Sequence, residues 1–480
     1  MSTAHADQHG SVEHGHRVHD YDLVIIGTGS GNSIIGPEMD HWRIAIIERG
    51  AFGGTCLNVG CIPTKMLVWP ADLAHHAAHG EALGVRTRFD GADWPAIRDR
   101  VFGRIDPIAE SGRQYRHGLP NVDVYEGTGH FVGERTLEVN GVHVRGEQVV
   151  IAAGGRPFIP AIDGLADVQF HTSDTIMRMG ALPEHLVIVG GGFIGVEFAH
   201  VFGALGSRIT LINRSSRLLQ AEDHDISARF TEIAAQRYDL ELGATVQRAR
   251  RGGTGVRLEL DTPHGTRTVE GDALLIATGR VPNSDILRVD HGGIDVDDRG
   301  NVRVDEYGRT SADGVWALGD INGRHQLKHM ANGEARVIRH NVMHHHDLRR
   351  YDDRPAPHAV FSNPQIGSVG LTEEEAAAAG EPYCVAVQGY GGSAYGWAME
   401  DDTGFCKLIG DPRTRRLLGA HVIGYQASML VQQLVQGMHL GSTVDEMAVG
   451  QVWIHPALNE VNEVALLQLQ EAFDRGDIAT

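Results

Sequence analysis

Two cysteines, Cys56 and Cys61, share the short turn 53-GGTCLNVGCIPTK-65 in a chain of 480 residues that holds only 4 cysteines. Thiols so placed can ligate a metal, pack inertly or exchange with a disulfide. A zinc site needs two further soft ligands at close spacing, and Cys384 and Cys406 are remote and share no short loop. Inert core cysteines are poorly served by a turn bracketed by Gly53, Gly54 and Pro63. A redox-active pair explains the site best. The turn enters a helix whose N-terminus lowers a thiol pKa, and the thiolate is the form that exchanges or donates charge. Exchange also needs a proton donor for the leaving thiolate. His455 in 453-WIHPALNE-460 suits that role because it titrates near neutrality, with Glu460 placed to hold its other ring nitrogen. Taken alone, a histidine before proline reads as structural, and it gains its role only from the set.

Two glycine-rich turns supply the elements around these residues. The stretch 21-YDLVIIGTGSGNS-33 reads as strand, turn and helix start, with Gly27 for the tight turn and Gly29 for close approach of a pyrophosphate. The usual third glycine of the fingerprint is Asn32 here, with Gly31 beside it, so the helix is expected to pack slightly farther from its strand. A second strand, 44-IAIIERG-50, ends in Glu48, whose carboxylate can accept both ribose hydroxyls of an adenosine. The pattern recurs at 186-LVIVGGGFIGVEFAHVFGALG-206, where Gly190, Gly192 and Gly195 complete the fingerprint. Its second strand, 209-ITLINRSSRLL-219, has Asn213 where the acid would stand, and Arg214 and Arg217 beside it. Guanidinium groups fit a 2′-phosphate that a carboxylate would repel. The first module is thus expected to hold FAD and the second NADPH.

An internal echo sets the domain plan. The exits 149-VVIAAGGRPFIP-160 and 274-LLIATGRVPN-283 are alike, and they bracket an inserted module. The expectation is a solvated, disordered His-rich leader over residues 1–19, with an FAD-binding domain in two parts, 20–155 and 276–350. An inserted NADPH-binding domain follows over 156–275, and a C-terminal α+β domain over 351–480 lacks any phosphate turn. The fold class is α/β, with two Rossmann-like nucleotide-binding domains.

Composition bounds the partners. A formal net charge of -20 gives no support to nucleic-acid or anionic-membrane binding, and no apolar run is long enough to span a bilayer. The first twenty residues lack the apolar stretch of a signal peptide, and so few cysteines speak against a disulfide scaffold, so a cytosolic protein is expected. His5, His9, His14, His16 and His19 of the leader, like His344, His345 and His346, read as solvated imidazoles rather than a metal site.

In this order, GxGxS, GGTCLNVGCIPTK, GxGxxG, ATGRVPN, ALGD and HPxxxxE make the chain from about residue 20 onward resemble the disulfide reductase flavoproteins, the family of glutathione reductase and lipoamide dehydrogenase. GTGSGNS, VFGRIDPIA, YGWAMED and WIHPALNE resemble most closely a branch acting on a sugar-thiol disulfide, in which Asn32 is a regular feature. The resemblance implies a homodimer joined through the C-terminal domain, whose His455 and Glu460 serve the cysteines of the partner chain, and a small-molecule disulfide substrate. It implies electron flow from NADPH through flavin to a Cys56–Cys61 disulfide, with Cys61 nearer the flavin and Cys56 attacking substrate. Gly54, Thr55 and Lys65 would stand at the flavin with Glu197 as the partner of Lys65, Asp320 would bind the FAD ribityl or phosphate region, and Gly279 and Arg280 would lie by the nicotinamide cofactor. Otherwise Lys65 and Glu197 read only as charged helix residues. The rivals are glutathione reductase, lipoamide dehydrogenase, which would keep an acid at Asn213, and a non-catalytic flavin-binding subunit. Mercuric and larger thioredoxin reductases use an extra C-terminal redox pair, and nothing after Cys406 could serve as one.

Overall fold

The computed structural model describes residues 10–13, 16–253 and 255–479. His5, His9 and His14 of the leader lie outside them. The chain packs as two units, the first of Met1–Thr64, Arg98–Phe158 and Arg280–Asp353, the second of Lys65–Ile97, Ile159–Gly279 and Arg354–Thr480. Among the described residues no helix is long and apolar enough to cross a membrane.

The first unit is built on the strands β1 (Gly10–Glu13), β2 (His16–Ile26), β3 (Ile44–Glu48), β4 (Val122–Glu126), β5 (His130–Gly133), β6 (Thr136–Val139) and β7 (Val142–Ile151). The order β4-β3-β2-β7 is parallel, and β5 and β6 add antiparallel to the far edge of β7. Successive apolar residues on β2 point to opposite faces: Leu23 and Ile25 join Ile44, Ile46 and Val150 in one core, and Val24 and Ile26 join Ala45, Ile47 and Val149 in another. Burial on both faces is what a parallel sheet between two layers requires.

Two expectations are corrected here. The leader was expected to be disordered through residue 19. Instead β1 pairs antiparallel with the start of β2, and Val18–Tyr21 continues the ladder along His143–Gly146 of β7. The ten-residue β7 would otherwise leave backbone groups unpaired beside this segment, and Val18 is buried there. The helix expected after Gly29 is replaced by two short 3-10 turns, Ser30–Ser33 and Pro37–Met39. Gly36 and Pro37 interrupt the segment, and proline lacks the N–H that a continuing helix would use.

The helices α1 (Gly54–Asn58), α2 (Cys61–His79) and α3 (Trp94–His117) follow β3. The chain leaves the first unit through β8 (Gly155–Pro157) and, after the insertion, returns through β16 (Arg280–Pro282), the two pairing antiparallel. The insertion holds β9 (His185–Val189), α4 (Phe193–Ala204), β10 (Arg208–Asn213), α5 (His224–Ala235), β11 (Asp239–Leu242), β12 (Thr245–Arg251), β13 (Val256–Thr262), β14 (Gly265–Gly271) and β15 (Ala273–Ile276). Its parallel sheet runs β11-β10-β9-β15, beside an antiparallel β12-β13-β14 sheet. The first unit resumes with α6 (Ser284–Leu287), then β17 (Val315–Ala317), parallel to β7, and α7 (Lys328–Met343).

The C-terminal part of the second unit is the antiparallel sheet β18-β19-β22-β21-β20, made of β18 (His358–Val360), β19 (Gln365–Gly370), β20 (Cys384–Gly389), β21 (Phe405–Asp411) and β22 (Arg416–Gly424), together with α8 (Glu373–Ala378) and α9 (Ala394–Met399). Cys406, Leu408, Ala420 and Val422 form one core with α10 (Ala427–Leu440), α11 (Val444–Val449) and α12 (Glu460–Arg475). The two single cysteines, Cys384 and Cys406, are buried there.

Packing divides the chain differently from the sequence expectation in two places. The insertion and the C-terminal region fall in one unit, because the alternate face of the C-terminal sheet is polar and meets the start of α5. Lys407, 1% exposed, extends Nζ to Asp223 Oδ1 (2.9 Å), Asp225 Oδ2 (2.6 Å) and Glu373 Oε2 (2.6 Å). Glu222 accepts from Ser368 Oγ at 2.7 Å and bonds His358 Nε2 at 2.8 Å. Residues 65–97 also belong to this unit, since Trp94 packs its ring 5.2 Å from that of Phe202 and Asp72 bonds the buried His200 at 2.7 Å.

Removing one member of a buried ion cluster strands the others. Lys407→Met should therefore destabilise the second unit by about 3–5 kcal/mol, read as a lowered calorimetric transition. An unchanged transition would mean that the network contributes nothing net.

Candidate active site

The thiol turn is fixed by backbone constraints. Cys56 lies in α1, the helix breaks at Val59 and Gly60, and Cys61 opens α2. Gly53 and Gly54 both take left-handed conformations, and a Cβ on Gly54 would stand 2.7 Å from the Cα of Gly29, so the thiol turn lies directly on the first glycine turn. A Cβ on Gly60 would meet the Thr55 carbonyl at 2.9 Å, and Thr64 Oγ1 donates to Gly60 O at 2.7 Å. Buried Asn58 donates from Nδ2 to Phe52 O (2.9 Å), Gly54 O (3.0 Å) and Ala51 O (3.3 Å), tying the loop to its start.

The sulfurs stand as two thiols, Cys56 partly buried and Cys61 exposed. The sequence reading expected a lowered thiol pKa. For Cys56 the balance runs the other way: its hydrogen bond to Cys61 and then its burial push the pKa far up, against a smaller downward pull from Lys328. Two thiols at this range hold one negative charge far more readily than two, and Cys56 keeps its proton. Among the described residues no group of three His, Cys, Asp or Glu side chains is placed to hold a metal.

The first glycine turn fits a dinucleotide. A Cβ on Gly27 would lie 2.5 Å from the Ala152 carbonyl, so only bare backbone passes there. Glu48 Oε2 accepts from the backbone N (2.8 Å) and Oγ1 (2.6 Å) of Thr28, and Oε1 accepts from Gly50 N at 2.8 Å. That leaves Oε1 acceptor capacity for a ribose hydroxyl. Gly31, not residue 32, is the close-packing glycine, for its Cβ would fall 2.7 Å from that of Ala152. Lys328 Nζ donates to Ser30 Oγ at 2.9 Å. Burial raises the pKa of Asp320, opposed by Arg280, whose Nε lies 3.8 Å from Asp320 Oδ2. Arg280 also donates to Gly155 O at 2.7 Å, so the structure places it with Asp320 in the first unit, while Gly279 belongs to the second.

The second glycine turn is tighter still. A Cβ on Gly190 would meet Ala277 O at 2.2 Å and one on Gly195 would meet Gly190 O at 2.0 Å, whereas Gly192, at the start of α4, faces open space. Asn213 Oδ1 accepts from Gly191 N at 3.2 Å and Nδ2 donates to Arg217 O at 2.8 Å, so the residue in the acid's position braces the turn. Among the described residues neither Arg214 nor Arg217 pairs with a carboxylate, and Nε of Arg217 is buried without a hydrogen-bond partner. Both guanidinium groups therefore stand beside the position of the usual acid without a carboxylate of their own among the described residues.

One turn beyond Cys61 on α2, Lys65 Nζ bonds both carboxylate oxygens of Glu197, at 2.7 and 2.6 Å, and lies 4.5 Å from the Phe361 ring centroid. Glu197 is nearly buried and also accepts from Phe361 N at 2.9 Å, which fixes the lysine. His455 Nδ1 bonds Glu460 Oε1 at 2.6 Å, while Ala457 N donates to Glu460 Oε2 at 3.1 Å. That bond to His455 holds the Glu460 carboxyl below its ordinary range. The imidazole is 73% exposed. Sequence reasoning missed Asn58, Thr28, Lys328 and Phe361. Only Asn58, an asparagine inside the cysteine turn, carried any signal.

The family profile for pyridine nucleotide-disulphide oxidoreductases matches residues 21–335, and the profile for the dimerisation domain of that family matches residues 356–465. Mycothione reductase of Mycobacterium tuberculosis is 51% identical over 460 residues, 94% of this chain and 99% of that protein. A mercuric reductase of Streptomyces lividans is 34% identical over 464 residues, 93% of this chain and 95% of that one. Among solved structures, the Cu(II) complex of the HOCl-induced flavoprotein disulfide reductase RclA from Escherichia coli matches with a TM-score of 0.83 at 29% identity, covering 94% of this chain and 100% of that one. With its paired thiols and two dinucleotide turns, the chain belongs to the pyridine nucleotide-disulphide oxidoreductase family, as a flavoprotein disulfide reductase.

Proposed function

We propose that the protein is a cytoplasmic, homodimeric, NADPH-dependent reductase of mycothiol disulfide. The observation that carries the redox reading is the thiol pair seated against the first glycine turn, with Gly54 on Gly29. The substrate reading rests on the similarity to mycothione reductase over nearly the whole of both chains.

Gly27, Gly29, Glu48, Gly54, Thr55 and Asp320 would hold FAD, and Gly190, Gly192, Gly195, Asn213, Arg214 and Arg217 would hold NADPH; together these cofactors supply hydride and two electrons. Lys65, fixed by Glu197, places a positive charge one turn from Cys61 on the same helix face. Reduction of a Cys56–Cys61 disulfide by two electrons and one proton gives a Cys61 thiolate and a Cys56 thiol. His455 of the partner protomer, oriented by Glu460, takes the Cys56 proton. The Cys56 thiolate attacks one sulfur of the substrate, and the leaving thiolate takes that proton from His455. Cys61 then attacks Cys56 Sγ, releasing the second substrate thiolate, which takes a proton from solvent as the protein disulfide re-forms.

The direct test is NADPH oxidation by the FAD-loaded protein with mycothiol disulfide, glutathione disulfide and oxidised lipoamide side by side, and NADH as a parallel donor. Turnover of mycothiol disulfide well above the others, with NADPH preferred, is expected. Better turnover of another disulfide would sink the substrate assignment.

Cys56→Ser and Cys61→Ser should each abolish disulfide reduction while NADPH-dependent ferricyanide reduction persists; loss of both activities would instead indicate damage to the fold. His455→Gln should lower disulfide turnover by roughly 10²–10⁴-fold, the span of general acid–base catalysis, again sparing ferricyanide. Replacing Arg214 and Arg217 with alanine should raise the NADPH KM on the order of tenfold and leave the NADH KM nearly unchanged. Equal effects on both donors would remove the 2′-phosphate role.

A further inference from the structure

The first dinucleotide turn lacks the element that usually faces a diphosphate. A long helix offers about half a positive charge at its N-terminus, but here the chain after Gly29 makes only a 3-10 turn, Ser30–Ser33. A cation bonds this turn instead. Arg116, in the last turn of α3 and 8% exposed, donates from Nε to Asn32 Oδ1 at 2.8 Å and from a terminal nitrogen to the Asn32 carbonyl. Among the described residues no carboxylate pairs with it, and its pKa is lowered by burial. The carbonyl end of α3 offsets part of the cost of burying this charge. A buried, uncompensated cation is otherwise costly. Lys328 brings a second positive charge to the same turn through Ser30.

We propose that Arg116, seated through Asn32, is a positioning residue for FAD whose charge replaces the missing helix dipole behind the diphosphate. This rests on the assignment of FAD to the first glycine turn. It also explains the departure at position 32: a third glycine would offer no Oδ1 to hold the guanidinium, and an aspartate would neutralise it.

Asn32→Asp separates charge from anchoring, because it keeps the acceptor for Arg116 and cancels the field. FAD affinity would be measured by flavin fluorescence on de-flavinated protein, together with apoprotein melting temperature. The expected result is FAD binding weaker by on the order of tenfold, with an apoprotein melting temperature equal to or above that of the parent. FAD binding as tight as in the parent would overturn the proposal, as the bond to Asn32 would then be purely structural. If Asn32→Asp does not fold, Arg116→Lys and Arg116→Gln ask the same question. The lysine variant should retain affinity within about threefold and the glutamine variant lose on the order of tenfold; equal losses would overturn the proposal. The parent is the control for the underlying reading, since failure of the parent itself to take up FAD would refute the cofactor assignment.

Discussion

Two thiols within hydrogen-bond reach hold one negative charge far more readily than two, and the rest of the site serves that constraint. Cys56 retains its proton because Cys61 stands beside it. A base must therefore come from elsewhere before Cys56 can attack. In the proposed mechanism that base is His455, whose Nδ1 is held by the Glu460 carboxylate and whose side chain is largely exposed. The turn that holds the thiols is correspondingly rigid. Asn58, Gly60 and Thr64 leave the loop between α1 and α2 little freedom.

The two nucleotide turns solve one electrostatic problem in different ways. The second turn keeps its helix, α4, and has beside it Arg214 and Arg217, which among the described residues lack carboxylate partners. The first turn has only a short 3-10 segment and draws on cations from two other elements, Arg116 of α3 and Lys328 of α7. In both, glycines with no room for a Cβ, Gly27 and Gly31 in the first and Gly190 and Gly195 in the second, let the turn pack tightly on its neighbours. With a net charge of -20, the chain needs these local positive sites to attract anionic ligands at all.

How much of this could be read from sequence follows from the range of the interactions. The glycine turns, Glu48 and the cysteine pair are local motifs whose spacing encodes geometry, and they appear where the spacing placed them. Lys65 and Glu197 lie 132 positions apart, so nothing local joins them; resemblance supplied the pair. Arg116 and Asn32 are 84 positions apart and no motif marks either as a partner of the other. The Lys407 cluster was equally hidden, since a lysine between Cys406 and Leu408 reads as the solvent side of a strand until α5 is laid over it. Tertiary pairing likewise turned the end of the polar leader, from Val18, into strand, because β7 offered it an open edge. Arg280 lies beside Asp320 since β16 re-enters the first unit against β8, a crossing that the repeated ATGR and AAGGR exits hinted at without fixing which residue goes where.

The central claim is that one chain carries a flavin and an interconverting Cys56–Cys61 pair as two coupled redox centres. Anaerobic titration of the FAD-loaded protein with a chemical two-electron reductant measures this directly, without reference to any substrate. The account predicts uptake of about two reducing equivalents of two electrons per chain, falling to about one in Cys61→Ser. Uptake of only one by the parent protein would show that the thiol pair takes no part in electron storage and would contradict the account.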